Sequence, residues 1–410
     1  MHEHDPPSAL TPSTALPPWW HGSGALERVV ADLIAHEFRA LRPRTALPAP
    51  PWPLDLALCE RGLGLDSLDL LAVAGALSEL LQLHESGIED YLLTRRGFGD
   101  WLQVARAGLA RHDRALTFRT SGSTGLPKPC PHPLVRLEAE AEFWGDLFAG
   151  RRRVLAAVPA HHIYGLIFTV LLPRHFGEDA VLDLRGHSPA ALRRLLRPGD
   201  LVVGHPVWWS AVARGLPEGV PVDVVGVTST APCPEATARA VLAAGFARLV
   251  QVYGSSETAG IGWREAPEAP SALLPGWRRG TAGLVRGEAS IPPPDRLDWE
   301  DACRFRVLGR HDGAVQVGGV NVHPERVAAV LREHPQVVEA TVRLMRPEEG
   351  DRLKAFVVPR QGGTGEEALR AILVAHVEAR LPPPERPRAF AFGPALPLSP
   401  AGKAADWPAL

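Results

Sequence analysis

The chain has 410 residues, a formal net charge of -2 at pH 7, 45% hydrophobic residues and 22% charged residues. This composition is typical of a globular protein with two or three domains of roughly 100–200 residues each. The near-neutral charge gives no basis for binding nucleic acid, and the sequence shows neither an apolar run long enough to span a membrane nor a signal peptide, so we expect a cytoplasmic protein.

The first quarter of the chain predicts helices and no strand. Residues 1–24 are rich in Pro, Ser and Thr, so we expect a flexible segment, in which Trp19 and Trp20 are candidates to dock on the rest of the protein. A helical spacing of apolar residues begins at Leu26, and a second helix begins with Asp66 or Ser67 as its N-cap. With a further short helix, these elements predict a small helical domain over residues 25–112.

The remaining chain predicts an α/β architecture. From residue 113 short apolar runs alternate with helical segments, which is typical of a layered sheet covered by helices. We predict a large α/β core over residues 113–310 and a smaller α/β domain over residues 311–410. The smaller domain ends in a Pro-rich tail that we expect to be mobile.

The stretch FRTSGSTGLPKP, residues 118–129, combines hydroxyl residues, two glycines and a lysine. Glycines let the backbone approach a ligand closely, and hydroxyl and ammonium groups are donors suited to anionic oxygens, so the stretch predicts a phosphate-binding loop. The GxxxxGKS/T spacing of P-loop enzymes is absent, because no hydroxyl residue follows the lysine. The residues expected to hold phosphate are Thr120, Ser121, Gly122, Ser123, Thr124, Gly125 and Lys128.

Four further stretches occur in a fixed order after this loop. With the loop, they resemble the adenylate-forming superfamily of acyl-CoA synthetases, aryl ligases and peptide-synthetase adenylation domains. The resemblance implies a large core with a small mobile C-terminal domain, and an enzyme that uses ATP and Mg²⁺ to convert a carboxylic acid to an acyl-adenylate and then to a thioester. The stretches are PAHHIYGL (159–166), VYGSSETAG (252–260), FRVLGRHDGAVQVGGVNVHPERV (305–327) and LPLSPAGK (396–403).

The resemblance implies roles for individual residues. Lys403 is expected to enter the active site for adenylate formation, where a cation between the attacking carboxylate and the α-phosphate lowers the barrier. His162 would border the acid pocket, and Thr124 would act with the phosphate loop at the reacting groups. Glu257 would bind Mg²⁺, since carboxylates are hard oxygen ligands. The residues implied to contact the nucleotide beside it are Tyr253, Gly254, Ser255 and Ser256.

The ribose-binding aspartate is harder to identify. The resemblance places it about fifteen residues before a Gly-Arg pair, which selects Asp295, but the usual Thr-Gly before it is missing, so Asp298 and Asp301 stay open. Arg310 is expected to face the nucleotide, and Asp312 is expected to be the hinge between the two domains.

The segment before the phosphate loop resembles an acyl carrier protein. LGLDSLDLLAVAGALSELLQL, residues 63–83, matches the carrier signature around a serine that takes 4'-phosphopantetheine, which makes Ser67 a possible attachment site; the alternative is a serine that only helps to begin a structural helix. The thiol acceptor is then a separate carrier protein, the arm on Ser67 itself, or coenzyme A, and the helical element favours a carrier.

The acid is the least specified part of the prediction. SSETAGIGWR, residues 255–264, resembles aryl acid:carrier-protein ligases of aryl-polyene and xanthomonadin-type pigment pathways, which implies a hydroxybenzoate such as 3- or 4-hydroxybenzoate. A fatty acid is the second candidate. A non-catalytic scaffold that docks a carrier protein is the alternative from another functional class.

Overall fold

The computed structural model describes most of the chain. No helix in the described part is both long and apolar enough to cross a membrane. The described residues are 16–22, 24–59, 61–120, 128–177, 181–215, 219–281, 283–293, 295–318, 320–346, 348–360, 365–397 and 405–408.

The N-terminal part consists of helices, as predicted. In the first of them, apolar residues repeat at helical spacing and the stripe they form is buried. The second begins at an N-cap aspartate, Asp66, whose side chain accepts hydrogen bonds from the backbone N–H groups of Leu68 and Asp69. These helices are α1 (Ala25–Leu41), α2 (Ser67–Leu81), α3 (Tyr91–Thr94) and α4 (Phe98–Leu109), with 3-10 turns at Trp19–His21 and Leu83–Ser86.

The N-terminal segment is anchored by Trp19 and Trp20, which are both buried among the apolar side chains of the large core. Both side chains dock on the rest of the protein, and for residues 16–22 this limits the flexible segment predicted up to residue 24, because burying two indole rings stabilises an ordered chain. Residues 1–15 lie outside the described part of the chain.

Strands begin at residue 115, where the change in sequence pattern predicts them. Short apolar runs such as DLVVG are buried at every position, as expected for strands covered on both faces. The strands are β1 (Ala115–Thr120), β2 (Lys128–Pro133), β3 (Arg153–Ala156), β4 (Val181–Asp183), β5 (Asp200–Gly204), β6 (Val225–Thr228), β7 (Arg248–Ser255), β8 (Ala259–Arg264), β9 (Ser271–Leu273), β10 (Trp277–Arg279), β11 (Leu284–Arg286), β12 (Ala289–Ile291), β13 (Asp295–Trp299), β14 (Arg304–Arg310), β15 (Val315–Val317), β16 (Val320–Val322), β17 (Val337–Leu344), β18 (Leu353–Pro359) and β19 (Ala389–Phe392).

Nine of these strands form the central sheet, in the order β13-β14-β9-β8-β7-β6-β5-β3-β4. In this sheet β4, β3, β5, β6 and β7 pair in parallel, and β8, β9, β14 and β13 pair antiparallel. Strands β1 and β2 form a separate antiparallel hairpin, and β10–β12 form a small three-stranded sheet. The parallel half therefore places the ends of β3, β5, β6 and β7 along one edge.

Helices cover both faces of the central sheet. One core joins the N-terminal helices to the sheet and to the first helix after β2, whereas a second core, which includes Trp209 and Val241, lies on the opposite face. The α1–α4 region thus shares its core with the large unit. The helices between strands are α5 (Leu134–Leu147), α6 (Ile163–Leu166), α7 (Pro189–Leu195), α8 (Pro206–Gly215) and α9 (Glu235–Ala243), and Ile167–Leu171 and Leu172–Phe176 are a π-helical and a 3-10 turn.

The C-terminal part has its own hydrophobic core, which includes Val327, Leu369 and Phe390. Its sheet has the order β17-β18-β19, and the helices α10 (Pro324–Arg332) and α11 (Glu366–Glu378) occur where helical spacing predicts them. Strand β19 lies in the Pro-rich tail that was predicted to be mobile; the prediction was wrong there, because Ala389–Phe392 pair in parallel with β18.

Candidate active site

The carboxyl ends of the parallel strands define the candidate site. In open α/β sheets ligands bind outside the carboxyl ends of the strands. His162 follows β3, His205 follows β5, Ser229 follows β6, and Tyr253 lies in the last part of β7. The sheet thereby brings to one edge residues that are up to about ninety positions apart in the sequence.

The turn after β7 holds the predicted nucleotide and magnesium residues. Gly254 must be a glycine, because a Cβ there would lie 2.2 Å from the Ala259 carbonyl oxygen. The Ser255 backbone N–H donates to the Thr258 hydroxyl at 3.1 Å, which closes the turn. Ser256 is partly buried, whereas Glu257 is exposed at the tip of the turn, so its carboxylate is free to accept a cation.

Four side chains form a row beside this turn. The Tyr253 hydroxyl donates a hydrogen bond of 2.7 Å to Asp295, which faces Arg310 directly across the β13–β14 ladder. Arg310 donates to both carboxylate oxygens of Asp312, at 2.8 and 2.7 Å, and these hydrogen bonds lower the pKa of Asp312 to about 2. Burial raises the pKa of Tyr253 well above its ordinary value, so its hydroxyl stays protonated and keeps donating to Asp295.

The row favours Asp295 among the three ribose candidates. Asp301 accepts hydrogen bonds from the backbone N–H groups of Cys303 and Arg304 in its own turn, and these bonds lower its pKa. Asp298 is exposed and lies opposite Arg306, farther along the same ladder. Only Asp295, of these three carboxylates, contacts a predicted nucleotide-binding side chain among the described residues.

The β1–β2 hairpin brings together the two ends of the phosphate loop. Thr120 pairs with Lys128 across this hairpin, while Ser121, Gly122, Ser123, Thr124 and Gly125 lie outside the described part of the chain. Lys128 is exposed, and the Thr120 hydroxyl is buried without a hydrogen-bond partner among the described residues. A buried hydroxyl without a partner is suited to an incoming anionic oxygen.

Two residues of β2 place this hairpin beside the β7–β8 turn. His132 Nε2 donates to the Ser256 carbonyl oxygen at 2.7 Å. Burial and, to a smaller extent, the Glu257 carboxylate raise the pKa of Cys130 to about 11, and Lys128 acts in the opposite direction. The predicted phosphate and magnesium residues therefore lie close enough to serve one ligand.

The histidine motif after β3 is held from the N-terminal helix. Asp32 of α1 accepts a hydrogen bond of 2.7 Å from the Ala160 backbone N–H and forms an ion pair with Arg185 at 2.6 Å. His162 lies two residues farther on, as the residue before α6, and part of it is open to solvent. Helix α1 thus fixes the chain segment that carries the predicted acid-pocket histidine.

Lys403 lies outside the described residues, but the chain on both sides of it is anchored. The Ala405 backbone N–H donates to the Pro397 carbonyl oxygen at 2.9 Å. Beyond it, the Trp407 ring is buried in the C-terminal unit.

A buried lysine, Lys354 of β18, holds this terminal segment. Its ammonium group donates to Glu349 at 2.9 and 2.7 Å and to the Trp407 carbonyl oxygen at 2.5 Å, and it lies 3.0 Å from Asp406. Burial acts to raise the pKa of Asp406, but hydrogen bonds from Lys354 and Arg346 outweigh it and hold that pKa below its ordinary value. We call Lys354, Asp406 and Trp407 the C-terminal clamp.

Ser67 is exposed at the first position of α2, so its hydroxyl is accessible. The N-cap of this helix is Asp66, which with Asp69 forms an ion-pair cluster with Arg42 at 2.5 and 2.6 Å. Ser67 is therefore not the capping residue, and its side chain is not needed for the capping interactions.

Ser229, Thr230 and Glu140 are absent from the sequence-based prediction. The Ser229 hydroxyl donates to the Val252 carbonyl oxygen at 2.9 Å, and Thr230 adopts a positive φ of 78° at the same edge of the sheet. The run VDVVGVTST, in which hydroxyl residues follow a buried strand, is the sequence pattern that could have indicated Ser229 and Thr230. Glu140 is buried and accepts from the Gly260 backbone N–H at 3.0 Å, across 120 sequence positions, so no local pattern could reveal it.

The residues present fit ATP and Mg²⁺. The Thr120 hydroxyl without a partner, the exposed Lys128 ammonium and the Arg310 guanidinium are donors for anionic oxygens, and the exposed Glu257 carboxylate is a hard ligand. Mg²⁺, when bound, would neutralise part of the phosphate charge.

Comparisons with known proteins agree with this geometry. Residues 67–288 match the family of AMP-binding enzymes, and residues 326–403 match the C-terminal domain of AMP-binding enzymes. The chain is 42% identical over 392 residues to a 4-coumarate–CoA ligase of Rhodobacter capsulatus, covering 93% of this chain and 100% of the relative. It is 28% identical to a benzoate–CoA ligase of Thauera aromatica, covering 82% of this chain and 71% of the relative.

A solved structure shows the same fold. The amide bond synthetase McbA from Marinactinospora thermotolerans superposes with a TM-score of 0.59 at 18% identity, covering 92% of each chain. The predicted fold class, an α/β adenylate-forming enzyme with a large core and a small C-terminal domain, is thus confirmed.

Proposed function

The chain belongs to the family of AMP-binding enzymes and is an ATP-dependent acid–thiol ligase, and we propose that it joins an aromatic acid of the 4-coumarate type to coenzyme A. The observation that supports this choice is the 42% identity to a 4-coumarate–CoA ligase that aligns over its whole length. The proposal replaces the preference for a carrier-protein acceptor and a hydroxybenzoate acid, since the similar curated relatives are named CoA ligases.

In this proposal the hairpin and the β7–β8 turn together hold ATP. The predicted phosphate-binding residues at and between Thr120 and Lys128 would bind the β- and γ-phosphates, and Glu257 would coordinate Mg²⁺. Tyr253 orients Asp295 through its hydrogen bond of 2.7 Å, so that the carboxylate can accept the ribose hydroxyls. Arg310, across the ladder from Asp295, supplies positive charge to the nucleotide.

Adenylate formation brings the acid carboxylate against the α-phosphate, which are both anions. We propose that the Lys403 ammonium group stabilises the negative charge that develops between these two groups, because a pre-positioned cation acts most strongly in such a transition state. Thr124 would act on the same phosphates, and His162 would border the acid at the end of β3. Deletion of the cation in Lys403→Ala should slow adenylate formation far more than it weakens ATP binding.

Thiol transfer requires that the C-terminal domain change its position about Asp312. Two glycines with positive φ flank this residue, Gly309 at 125° and Gly313 at 71°, and such positions absorb large backbone rotations. The Arg310–Asp312 ion pair fixes the hinge in the present conformation. We propose that its rearrangement accompanies the second half-reaction.

A second candidate acceptor is a phosphopantetheine arm on Ser67. The exposure of Ser67 at the start of α2 favours it. Against it, α1–α4 share one hydrophobic core with the central sheet, so this region lacks the separate core of a mobile carrier domain. Intact mass after treatment with a phosphopantetheinyl transferase distinguishes the two: coenzyme A as the acceptor predicts no added arm.

The experiment that tests the proposed acid is ATP–pyrophosphate exchange with a panel of 4-coumarate, cinnamate, 3- and 4-hydroxybenzoate, fatty acids and amino acids. The proposal expects the strongest exchange with 4-coumarate and its loss in Lys403→Ala. Stronger exchange with a hydroxybenzoate or a fatty acid would overturn the choice of acid.

A further inference from the structure

Three histidines from two distant parts of the chain form a cluster at the end of β3. His36 lies on α1, whereas His161 and His162 follow β3, and one ring nitrogen from each lies within 4.8 Å of those of the others. The ring centroids are 4.1 Å apart for His161 and His162, 4.9 Å for His36 and His161, and 5.5 Å for His36 and His162.

His161 lacks the partners that a buried imidazole normally has. His161 is 7% exposed, and neither nitrogen of its ring has a hydrogen-bond partner among the described residues. Buried polar groups are nearly always satisfied, and each exception calls for an unseen partner. Burial, followed by the neighbouring His162 and His36, lowers the pKa of His161 well below its ordinary value. In its neutral form such a ring has a lone pair to donate to a metal ion.

We propose that His36, His161 and His162 form a binding site for a transition-metal dication, with Zn²⁺ the best suited. Three imidazoles are a common zinc ligand set, and they leave a fourth position open to water or to another ligand. Zn–N bonds of about 2.0–2.1 Å in tetrahedral geometry separate the nitrogens by about 3.4 Å, so a separation of at most 4.8 Å requires only small side-chain adjustments.

Asp32 makes this arrangement rigid. It lies one helical turn before His36 on α1 and accepts the Ala160 backbone N–H at 2.7 Å, so it ties the helix that carries one ligand to the segment that carries the other two. Arg185 is the cation that would oppose a metal here, but Asp32 and Asp183 both pair with it. The site shares His162 with the proposed acid pocket, but metal binding needs no ATP, acid or thiol, so it can be tested separately from the proposed function.

Zn²⁺ titration by calorimetry, on the full chain without a tag and without ATP, acid or thiol, tests the proposal. The parent protein carries His2→Asn and His4→Asn, because those N-terminal histidines could bind metal themselves. We expect one Zn²⁺ per chain, and at least ~100-fold weaker binding in His161→Asn and in His36→Asn, since loss of even an outer-shell partner costs ~10–100-fold.

The matched control is His334→Asn, since His334 and His376 form another histidine pair, with ring centroids 5.2 Å apart. It should bind Zn²⁺ like the parent. His36 is exposed, so His36→Asn should fold normally, which thermal unfolding checks. Co²⁺ in place of Zn²⁺ should give the visible absorption of a tetrahedral site, lost in His36→Asn. No Zn²⁺ binding by the parent, or unchanged binding by His36→Asn, would overturn the proposal.

Discussion

Replacing Lys354 with methionine should release the terminal segment that follows Lys403. The buried ammonium group of Lys354 bridges Glu349 and Asp406 and donates to the Trp407 carbonyl oxygen. Methionine fills a similar volume but leaves both carboxylates and the carbonyl without this cation. We therefore expect Asp406 and Trp407, which follow Lys403 in the sequence, to lose the anchor that Lys354 supplies.

The size of the effect follows from burial and charge. Removing one partner from a buried ion pair costs about 3–5 kcal/mol. Lys354 is 0% exposed, but Asp406 is 25% exposed and keeps its ion pairs with Arg343 and Arg346, so we take the lower value of about 3 kcal/mol. If the clamp holds Lys403 in its reactive position, adenylate formation slows by up to ~100-fold.

Single-turnover formation of the acyl-adenylate measures this rate, and equilibrium ATP binding, which should not change, is measured alongside. The control is Arg352→Met, because Arg352 is an exposed cation on the same unit that donates instead to the Pro383 carbonyl oxygen. In a Lys403→Ala background, Lys354→Met should cause little further loss, since both act through one side chain. A wild-type rate in Lys354→Met, or additive losses in the double variant, would refute this reasoning.

Three further predictions concern the nucleotide site and the strand beside it. Glu257→Gln should raise the Mg²⁺ concentration needed for half-maximal adenylate formation on the order of tenfold, because the ligand loses its charge; an unchanged Mg²⁺ requirement would contradict the metal assignment. Tyr253→Phe removes the hydrogen bond to Asp295 and should weaken ATP binding by about tenfold, measured by calorimetry. An unchanged affinity would contradict the assignment of Asp295 as the ribose-binding carboxylate that Tyr253 orients. Burial lowers the pKa of His132 in the folded protein, so the unfolded state binds more protons than the folded state as the pH falls through about 6.5. The free energy of unfolding, measured with urea, should therefore fall by up to ~2 kcal/mol from this group between pH 7.5 and 5. His132→Asn should show a smaller decrease over the same pH range.

Much of the fold follows from local sequence patterns. The runs of β5 and β6 are short, mostly apolar and buried at every position, so their pattern already predicts parallel strands between helices. The motif around Glu257 lies in a tight turn after a strand, and such local geometry is encoded in a few adjacent residues.

The missed features depend on contacts between distant residues. Strand β19 has only the residues AFAF, with Pro387 and Pro394 close on either side, and it exists because β18 offers a parallel partner. The sequence that resembles a carrier protein does form the helix α2, but its local pattern could not show that this helix packs in the core of the central sheet. The approach of His36 to His161 likewise depends on how α1 packs, which no local pattern records.

The most direct test of the central claim is product analysis by mass spectrometry after incubation with ATP, Mg²⁺, 4-coumarate and either coenzyme A or a phosphopantetheinylated carrier protein. The account predicts that 4-coumaroyl-CoA, AMP and pyrophosphate form in equal amounts and that the carrier protein stays unloaded. Acylation of the carrier protein with no CoA thioester would contradict it.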